Sequence, residues 1–361
     1  MHDLTPADLR LSVEANLAEG LDWLEKEYAL RRHAPGLAEA LRAFLGTPGR
    51  RLRPLLFLLA YHAYARRPDP GIGKAAAALE LFHSFALIHD DLLDHSAVRR
   101  GAPAMHVLLG RQAPRSRSKP GRSREGLAML AGDVLFAAAV EAFATATRDA
   151  ARAREALQML MRAAVSTGTG AFLEVSTRER PLKQISRRTV LRICELKTAL
   201  YTFVCPLTTG AWLAGAAPAE CQRLDACGRL LGRAYQLRDD LADLRACLTP
   251  GGRAEAPTFD ETRTTLPVWY AFKAASRREQ AWMQRLYDRS SPTSADLANL
   301  RRLLERTQAL ARTDRLIQRL LRQADHTAGQ LALPAAARER LTHCIHEFFV
   351  PAGAPEAARP C

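Results

Sequence analysis

An acidic turn that closes an apolar helical segment constrains this chain more than any other feature. Residues 81–94 read LFHSFALIHDDLLD. Residues three and four apart lie on one face of a helix, so Asp90 and Asp94 stack and Asp91 lies beside them. Three carboxylates on one turn repel each other unless a cation lies between them. Mg²⁺ takes oxygen ligands, usually one or two carboxylates together with phosphate oxygens and water.

Two arginines follow this turn within a few residues. Arg99 and Arg100 precede Gly101, and arginine binds phosphate groups through paired N–H donors. Carboxylates for a metal and arginines for a phosphate together indicate a metal-bridged diphosphate site. For a single copy of the pattern, the alternative is a solvated charged face at the end of an ordinary helix.

A second copy of the acidic turn favours the diphosphate site over that alternative. Residues 234–243 read AYQLRDDLAD, in which Asp239, Asp240 and Asp243 repeat the spacing of the first copy. Two such turns facing each other could hold several Mg²⁺ ions around one diphosphate. The pair resembles the two Asp-Asp-x-x-Asp helices of the polyprenyl synthetase family, the trans-isoprenyl diphosphate synthases.

Basic motifs upstream and downstream of the first acidic turn extend this resemblance, which is strong between residues 46 and 267. The segment GRRLRP is similar to the family's Gly-Lys-Arg-x-Arg-Pro, with Arg50 in the place of lysine. The segment RRGAPAMH matches Arg-Arg-Gly-x-Pro-x-x-His. The resemblance implies that isopentenyl diphosphate is bound by four residues: Arg50, Arg51, His83 and Arg100.

The resemblance also implies how an allylic diphosphate is bound. The implied Mg²⁺ ligands are Asp90, Asp94, Asp239 and Asp243, with Asp91 and Asp240 in support. The residues implied to hold the same diphosphate directly are Arg99, Lys197, Thr198 and Gln236. Arg263 is implied to be a further substrate-binding residue. Independently of the family, a lysine within an apolar helix such as that around Lys197 should have an anionic partner.

Three positions depart from the family's pattern. GAFLE stands where the family has Gly-Gln-x-x-Asp, so Ala171 lacks the amide. Further on, Thr262 and Arg263 replace the glycine and lysine of Gly-Lys-x-Thr-Leu-Pro. We expect weaker or rearranged contacts at these places.

Helical periodicity dominates the chain, and no strand alternation lasts more than a few residues, which predicts an all-α fold. The resemblance implies a single large bundle of helices around a central cavity, covering 1–361 as one domain. We expect a basic loop at about 110–126 and a frayed tail at about 351–361.

Composition narrows the partners and the compartment. The net charge is +14 over 361 residues, but no zinc-finger spacing or basic-aromatic pattern supports nucleic-acid binding. The seven cysteines form no C-x-x-C pair, which favours reduced thiols in the cytoplasm. We expect no apolar stretch of the ~20 residues that a membrane span requires.

The implied function is a Mg²⁺-dependent, homodimeric trans-prenyltransferase that condenses isopentenyl diphosphate with an allylic diphosphate. A terpene cyclase is the first alternative, but the second acidic turn and the basic set suit two diphosphates. A non-catalytic partner subunit is the second alternative, favoured only by Ala171, Thr262 and the loop before it. A nucleic-acid-binding protein is a further alternative, resting on charge alone.

Product length is predicted from the helix before Asp90, because the growing tail must run along it. Phe85 and Ala86 lie about one turn earlier. In the family, bulk five residues before the acidic turn is typical of short-chain synthases. One aromatic floor residue with space beside it predicts a C20 product, with C15 as the second choice; the alternative is that Phe85 is ordinary core packing.

Overall fold

The computed structural model describes residues 6–67, 69–112, 120–249, 259–289 and 292–349. The predicted all-α fold is confirmed, since a two-residue strand pair is the only sheet within those ranges. The α-helices in chain order are α1 Pro6–Glu27, α2 Leu30–His33, α3 Pro35–Leu45, α4 Leu52–Tyr64, α5 Ile72–Leu93, α6 Met105–Gln112, α7 Pro120–Ala144, α8 Ala150–Arg178, α9 Arg187–Ile193, α10 Cys205–Leu213, α11 Pro218–Cys247, α12 Leu266–Ala274, α13 Arg277–Tyr287, α14 Ser294–Arg306, α15 Ala309–Gly329 and α16 Ala335–Glu347.

Short elements complete the path. β1 (Val98–Arg99) pairs antiparallel with β2 (Ala102–Pro103). A π-helix, Cys194–Val204, joins α9 to α10, and 3₁₀ turns cover Leu182–Gln184 and Phe259–Thr264. Helices α6 and α7 occupy both ends of the predicted basic loop, so the prediction is wrong there and stays untested for residues 113–119. Those residues and the predicted tail lie outside the described ranges.

The chain divides into two compact units. The first contains the described residues up to Met159 together with Thr209–Ala216; the second contains Leu160–Thr208 and the described residues from Ala217 onward. The single domain expected from the sequence stays a prediction. Each unit carries one of the acidic turns.

In the first unit, α5 packs against α1, α4 and α7. A run of four alanines on α5, from Ala75 to Ala78, is buried, and small side chains let neighbouring helices approach closely. A Cβ added to Gly20 of α1 would lie 3.2 Å from the Cβ of Ala77. This packing fixes α5, which carries the first acidic turn at its end.

In the second unit, α11 packs against α15 and the π-helix. Leu237, Leu241 and Leu244 recur at helical spacing and are fully buried, which anchors the inner face of α11. A Cβ on Gly232 would lie 2.3 Å from the Cα of Ala199, so only glycine permits this approach of the two backbones. Because this buried face is held in place, the position of the opposite face of α11, which carries the second acidic turn, is also fixed.

One helix contradicts the expectation that no apolar stretch reaches membrane length. The segment Arg124–Ala144 of α7 is 21 residues long and apolar enough to cross a membrane, by length and composition alone. Its most apolar window is 44% buried, and α7 packs along α5. A core helix of a soluble protein has the same properties, so the segment is weak support for a membrane span.

Candidate active site

The first acidic turn lies at the C-terminus of α5. The helix ends at Leu93, and the backbone N–H of Asp94, the capping residue, donates to the carbonyl of Asp90 at 2.9 Å. Asp91 is 1% exposed. Burial raises the pKa of its carboxyl to about 6, and the neighbouring Asp90 and Asp94 charges add to the effect. Burial is the larger cause of the raised pKa, and the hydrogen bond from Arg99 opposes it.

The β-hairpin that follows brings an arginine back to this turn. The Arg99 Nε–H donates to Oδ1 of Asp91 at 2.7 Å, and Arg99 Nη2 lies 3.7 Å from Oδ2 of Asp90. Arg100 and Gly101 form the hairpin turn with φ of 55° and 75°. A two-residue turn with both φ values positive matches the twist of a hairpin, which explains the glycine. Within the described chain, Oδ2 of Asp91 accepts no hydrogen bond.

The guanidinium group of Arg51 donates hydrogen bonds to other groups of the protein. It is 4% exposed, has φ 45°, and donates to Glu14 at 2.9 Å and to Glu80 at 2.8 Å. Its second Nη also donates to the carbonyls of Leu45 and Thr47 at 2.8 and 3.1 Å. The structure therefore gives Arg51 a structural role, and the predicted contact with isopentenyl diphosphate would require these bonds to be given up. By contrast, Arg50 is exposed.

His83 lies among cations. Burial, followed by the charges of Arg53 and Arg100, holds the pKa of the imidazole well below its usual value. The histidine is therefore neutral at pH 7. The sequence analysis did not assign Arg53 to the site, although Arg53 lies in the GRRLRP segment that resembles the family motif. The geometry places it with His83 and Arg100 in one basic cluster.

Glu80 links two arginines of this region and was not predicted as a site residue. It is 1% exposed and accepts from Nη1 of Arg51 at 2.8 Å and from Nη2 of Arg100 at 3.3 Å. A buried carboxylate needs such partners because an unpaired buried charge is costly. No local sequence pattern announces the pairing, since Arg51 and Glu80 are 29 residues apart.

In the second unit, the second acidic turn lies within α11, which continues to Cys247. Gln236 Nε2 donates to Oδ1 of Asp240 at 2.8 Å, and the Thr198 hydroxyl donates to Oε1 of Gln236. Burial raises the pKa of Asp240 to about 8, opposed by the Gln236 bond and strengthened by the Glu174 charge. The structure thus brings Thr198, Gln236 and Asp240 into one chain of hydrogen bonds.

Lys197 projects from the π-helix, an element that often occurs at functional sites. Its Nζ donates to Oε2 of Glu174 at 2.6 Å, and Arg178 lies 3.2 Å from the other Glu174 oxygen. The prediction that Lys197 has an anionic partner is confirmed. Gly170, one turn before Glu174, lets α8 approach closely, because a Cβ there would lie 2.4 Å from the backbone N of Lys197.

The two replacements near residue 262 serve packing. Arg263 is 6% exposed and donates to the carbonyls of Tyr287 and Arg180 at 2.9 and 2.8 Å. The Thr262 hydroxyl lies 3.0 Å from the hydroxyl of Tyr287, and the Phe259 ring stacks on Tyr287. The predicted contact of Arg263 with substrate would therefore compete with these backbone bonds.

The predicted floor residue belongs to an aromatic cluster in the first unit. The Phe85 ring lies 5.5 Å from Phe82, 4.6 Å from His89 and 5.2 Å from Phe136 of α7. Phe136 was not predicted, because only the pairing of α5 with α7 brings it to Phe85. Both Phe85 and the neighbouring Ala86 are half-buried.

The carboxylates fit a divalent cation that binds together with a diphosphate. Among the residues that the structure describes, no three His, Cys, Asp or Glu side chains form a complete metal site. Mg²⁺ needs only one or two carboxylates when phosphate and water supply the other ligands. Burial, and after it the charges of neighbouring carboxylates, raise the pKa of Asp91 and of Asp240. A bound cation would offset the repulsion between these carboxylates.

Comparison with known proteins identifies the family. A family model described as polyprenyl synthetase matches residues 34–304. The chain belongs to this family. A short chain isoprenyl diphosphate synthase of Methanothermobacter thermautotrophicus is 32% identical over 68% of this chain and 69% of its own. A geranylgeranyl diphosphate synthase of Methanosarcina mazei is 31% identical over 66% and 68%.

Solved structures agree with this family. The crystal structure of geranylgeranyl pyrophosphate synthase from Corynebacterium glutamicum, complexed with isoprenyl diphosphate and magnesium, has a TM-score of 0.83 at 25% identity. The match covers 94% of this chain and 99% of that one. The chain is therefore a trans-prenyltransferase of the short-chain isoprenyl diphosphate synthase type.

Proposed function

We propose that this polyprenyl synthetase condenses isopentenyl diphosphate with an allylic diphosphate, binds Mg²⁺ to do so, and makes geranylgeranyl diphosphate. The observation that carries the proposal is the acidic turn in each unit, whose second aspartate accepts a hydrogen bond from a polar side chain. Asp91 and Asp240 have raised pKa values and lie beside Arg99 and Gln236 respectively. Each acidic turn thus combines cation-binding oxygens with donors for a diphosphate.

The proposed Mg²⁺ ligands are Asp90, Asp94, Asp239 and Asp243. When bound, the metal neutralises the diphosphate charge that develops as the allylic C–O bond breaks. Arg99, Lys197 and the Thr198–Gln236 pair bind the same group and supply donors where that charge develops. Lys197 must then share its ammonium between Glu174 and the incoming diphosphate.

The second substrate is proposed to bind at the basic cluster. Arg50, Arg53, His83 and Arg100 hold isopentenyl diphosphate, and Arg51 holds the cluster together through Glu80. The double bond of this substrate attacks the allylic cation, so that one C–C bond forms as diphosphate leaves. The departed diphosphate takes the proton that is then lost, and the apolar helix faces exclude water from the cation.

The C20 product is proposed from the aromatic cluster. Phe82, Phe85 and Phe136 close the space beside α5 with three rings, whereas Ala86 leaves room next to them. The relative from Methanosarcina mazei carries a geranylgeranyl name, which supports the same length. A C15 product is the second choice.

A homodimer is supported by apolar side chains that remain exposed. Leu127, Met129 and Leu130 of α7 are 43%, 48% and 57% exposed. On α8, in the second unit, Val165 and Phe172 are 72% and 76% exposed. Such patches mark association surfaces. Light scattering at micromolar concentration should give twice the chain mass, and a monomer would contradict the proposal.

Cytoplasmic residence is proposed from the cysteines. None of the six that the structure describes is in a disulfide, and most of them are buried, as is typical of a reducing compartment. Cell fractionation tests this directly.

The activity is tested by Asp90→Ala in a condensation assay at saturating Mg²⁺. Turnover should fall by about a hundredfold or more, since a preorganised electrostatic contact of this kind is worth roughly 3–4 kcal/mol. Asp314→Ala is the matched control, because Asp314 is half exposed on α15 and carries only a 3.4 Å ion pair with Arg245. Near-normal turnover by Asp90→Ala would refute the assignment.

A further inference from the structure

A second basic site lies between α13 and α14, in the unit that carries the second acidic turn. The two helices line an open cleft of about 460 Å³. Small-molecule sites usually measure about 300–1,000 Å³, so the cleft can hold a compact organic ligand. No residue assigned to condensation lines it.

The lining is strongly cationic. Arg278, Arg285, Arg302 and Arg306 contribute four positive charges, and Glu279 contributes one negative charge. The lining therefore has a net charge of +3. On α13, Arg278 and Arg285 are seven residues apart and lie on one face of the helix. Cations gathered in one concave surface raise the local concentration of anions.

The one carboxylate cannot neutralise this charge. One oxygen of Glu279 accepts from the backbone N and the hydroxyl of Ser276 at 2.8 and 2.7 Å, and the other accepts from Arg306. Within the described chain, Arg278 and Arg285 form no ion pair. Three of the four arginines therefore lack a carboxylate partner.

Arg302 and the helix ends show that the cleft is preorganised. The guanidinium of Arg302 donates to the neutral amide oxygen of Asn299 at 2.6 Å, which orients it without neutralising it. Capping boxes fix the starts of both helices, through Ser276 on α13 and Thr293 on α14. A rigid frame lowers the entropic cost of binding.

The remaining wall is apolar. Trp282 and Leu303 line the same cleft, and Trp282 is half-buried. Within the described residues, no aromatic ring or cation stacks on the Trp282 indole. The indole of Trp282 thus offers a flat apolar surface beside the guanidinium groups of three arginines.

We propose that this cleft binds an organic diphosphate at a place separate from the condensation site. Arg278, Arg285 and Arg302 hold the diphosphate, because guanidinium groups match phosphate oxygens in pairs. The organic part packs on Trp282 and Leu303. That part is either a planar base, as in a nucleoside diphosphate, or a prenyl tail, as in the enzyme's own product.

Calorimetric titration of the full chain tests the proposal. The protein is titrated in EDTA with ADP, geranylgeranyl diphosphate and inorganic diphosphate. Arg278→Gln/Arg302→Gln removes two charges from the cleft. Arg315→Gln/Arg319→Gln removes the same charge from exposed positions of α15 that do not line it. Trp282→Leu keeps the charge and removes the flat wall.

The cleft variant should weaken the binding of one class of ligand about tenfold or more, which is about 1.4 kcal/mol, because it loses charged hydrogen bonds to the diphosphate. The α15 variant should bind like the parent, and condensation should be normal in both. The ligand that Trp282→Leu weakens most identifies the organic part. Equal losses in both arginine variants, no binding beyond the condensation site, or inorganic diphosphate binding as tightly as both organic ligands would overturn the proposal.

Discussion

The ammonium of Lys197 and the carboxylate of Glu174 form a hydrogen-bonded ion pair of 2.6 Å. Glu174 stands where the family has aspartate, and its longer side chain reaches Lys197 from the next turn of α8 after Gly170. The same carboxylate contributes to the raised pKa of Asp240. Glu174 therefore orients the lysine and places a negative charge beside the proposed diphosphate position.

Replacing Glu174 with glutamine should lower the KM for the allylic diphosphate about fivefold. The substitution removes one negative charge near the proposed diphosphate position, worth about 1 kcal/mol. Glu179→Gln removes the same charge just beyond the end of α8 and should leave KM unchanged. Steady-state kinetics in both substrates measures the effect. A raised KM in Glu174→Gln would show that the pair assists binding instead.

Substitutions of Arg51 and Arg50 should have different effects: the first should lower stability, and the second should weaken substrate binding. Arg51→Met leaves the buried Glu80 with only the 3.3 Å contact to Arg100, so the free energy of unfolding should fall by about 3 kcal/mol. Arg50 is exposed, so the Arg50→Gln variant should unfold like the parent. Its KM for isopentenyl diphosphate should be raised. Urea denaturation and kinetics on both variants distinguish the roles. A fully stable Arg51→Met with only a raised KM would restore the substrate role.

The acidic turns were predictable because helical spacing alone places Asp90 and Asp94 together. Hydrogen-bond partners that are distant in the sequence were not predictable. Arg51 lies in a matched motif, yet its role depends on Glu14, which is 37 residues away. Arg263 likewise bonds to the carbonyl of Arg180, 83 residues earlier. A motif specifies the residue type, whereas burial and long-range pairing decide whether its donors remain available.

The π-helix and the hairpin also escaped prediction. The apolar run around Lys197 has helical character in either α or π geometry, and the sequence carries no signal for the wider turn. The hairpin at Arg99 is only two residues on each side, too short for an alternating pattern. Both elements position cations of the candidate site, so the least regular backbone carries much of its chemistry.

Acid should selectively weaken the start of α13. Bonds from Arg306 and Ser276 lower the pKa of Glu279 to about 2, below its usual 4.5. A lowered folded-state pKa stabilises the protein fully above about pH 4.5, and this contribution is lost as the pH falls towards 2. Glu279→Gln should therefore unfold more easily than the parent at pH 7, and the difference between the two should be clearly smaller at pH 3. Parallel denaturation curves at the two pH values measure this, and a constant difference would contradict it.

Product length should respond to Phe85 and Phe136 together, because their rings lie 5.2 Å apart. Phe85→Ala and Phe136→Ala each open the space beside α5, and mass spectrometry of the products should show tails longer by one or more C5 units. Phe143→Ala is the control: it also lies on α7 and is fully buried, but its ring contacts Phe57, at 6.1 Å. That change should cost about 3–5 kcal/mol of stability and leave the product unchanged. If Phe85→Ala and Phe136→Ala fold and still make the parent product, the aromatic cluster is core packing and does not set the chain length.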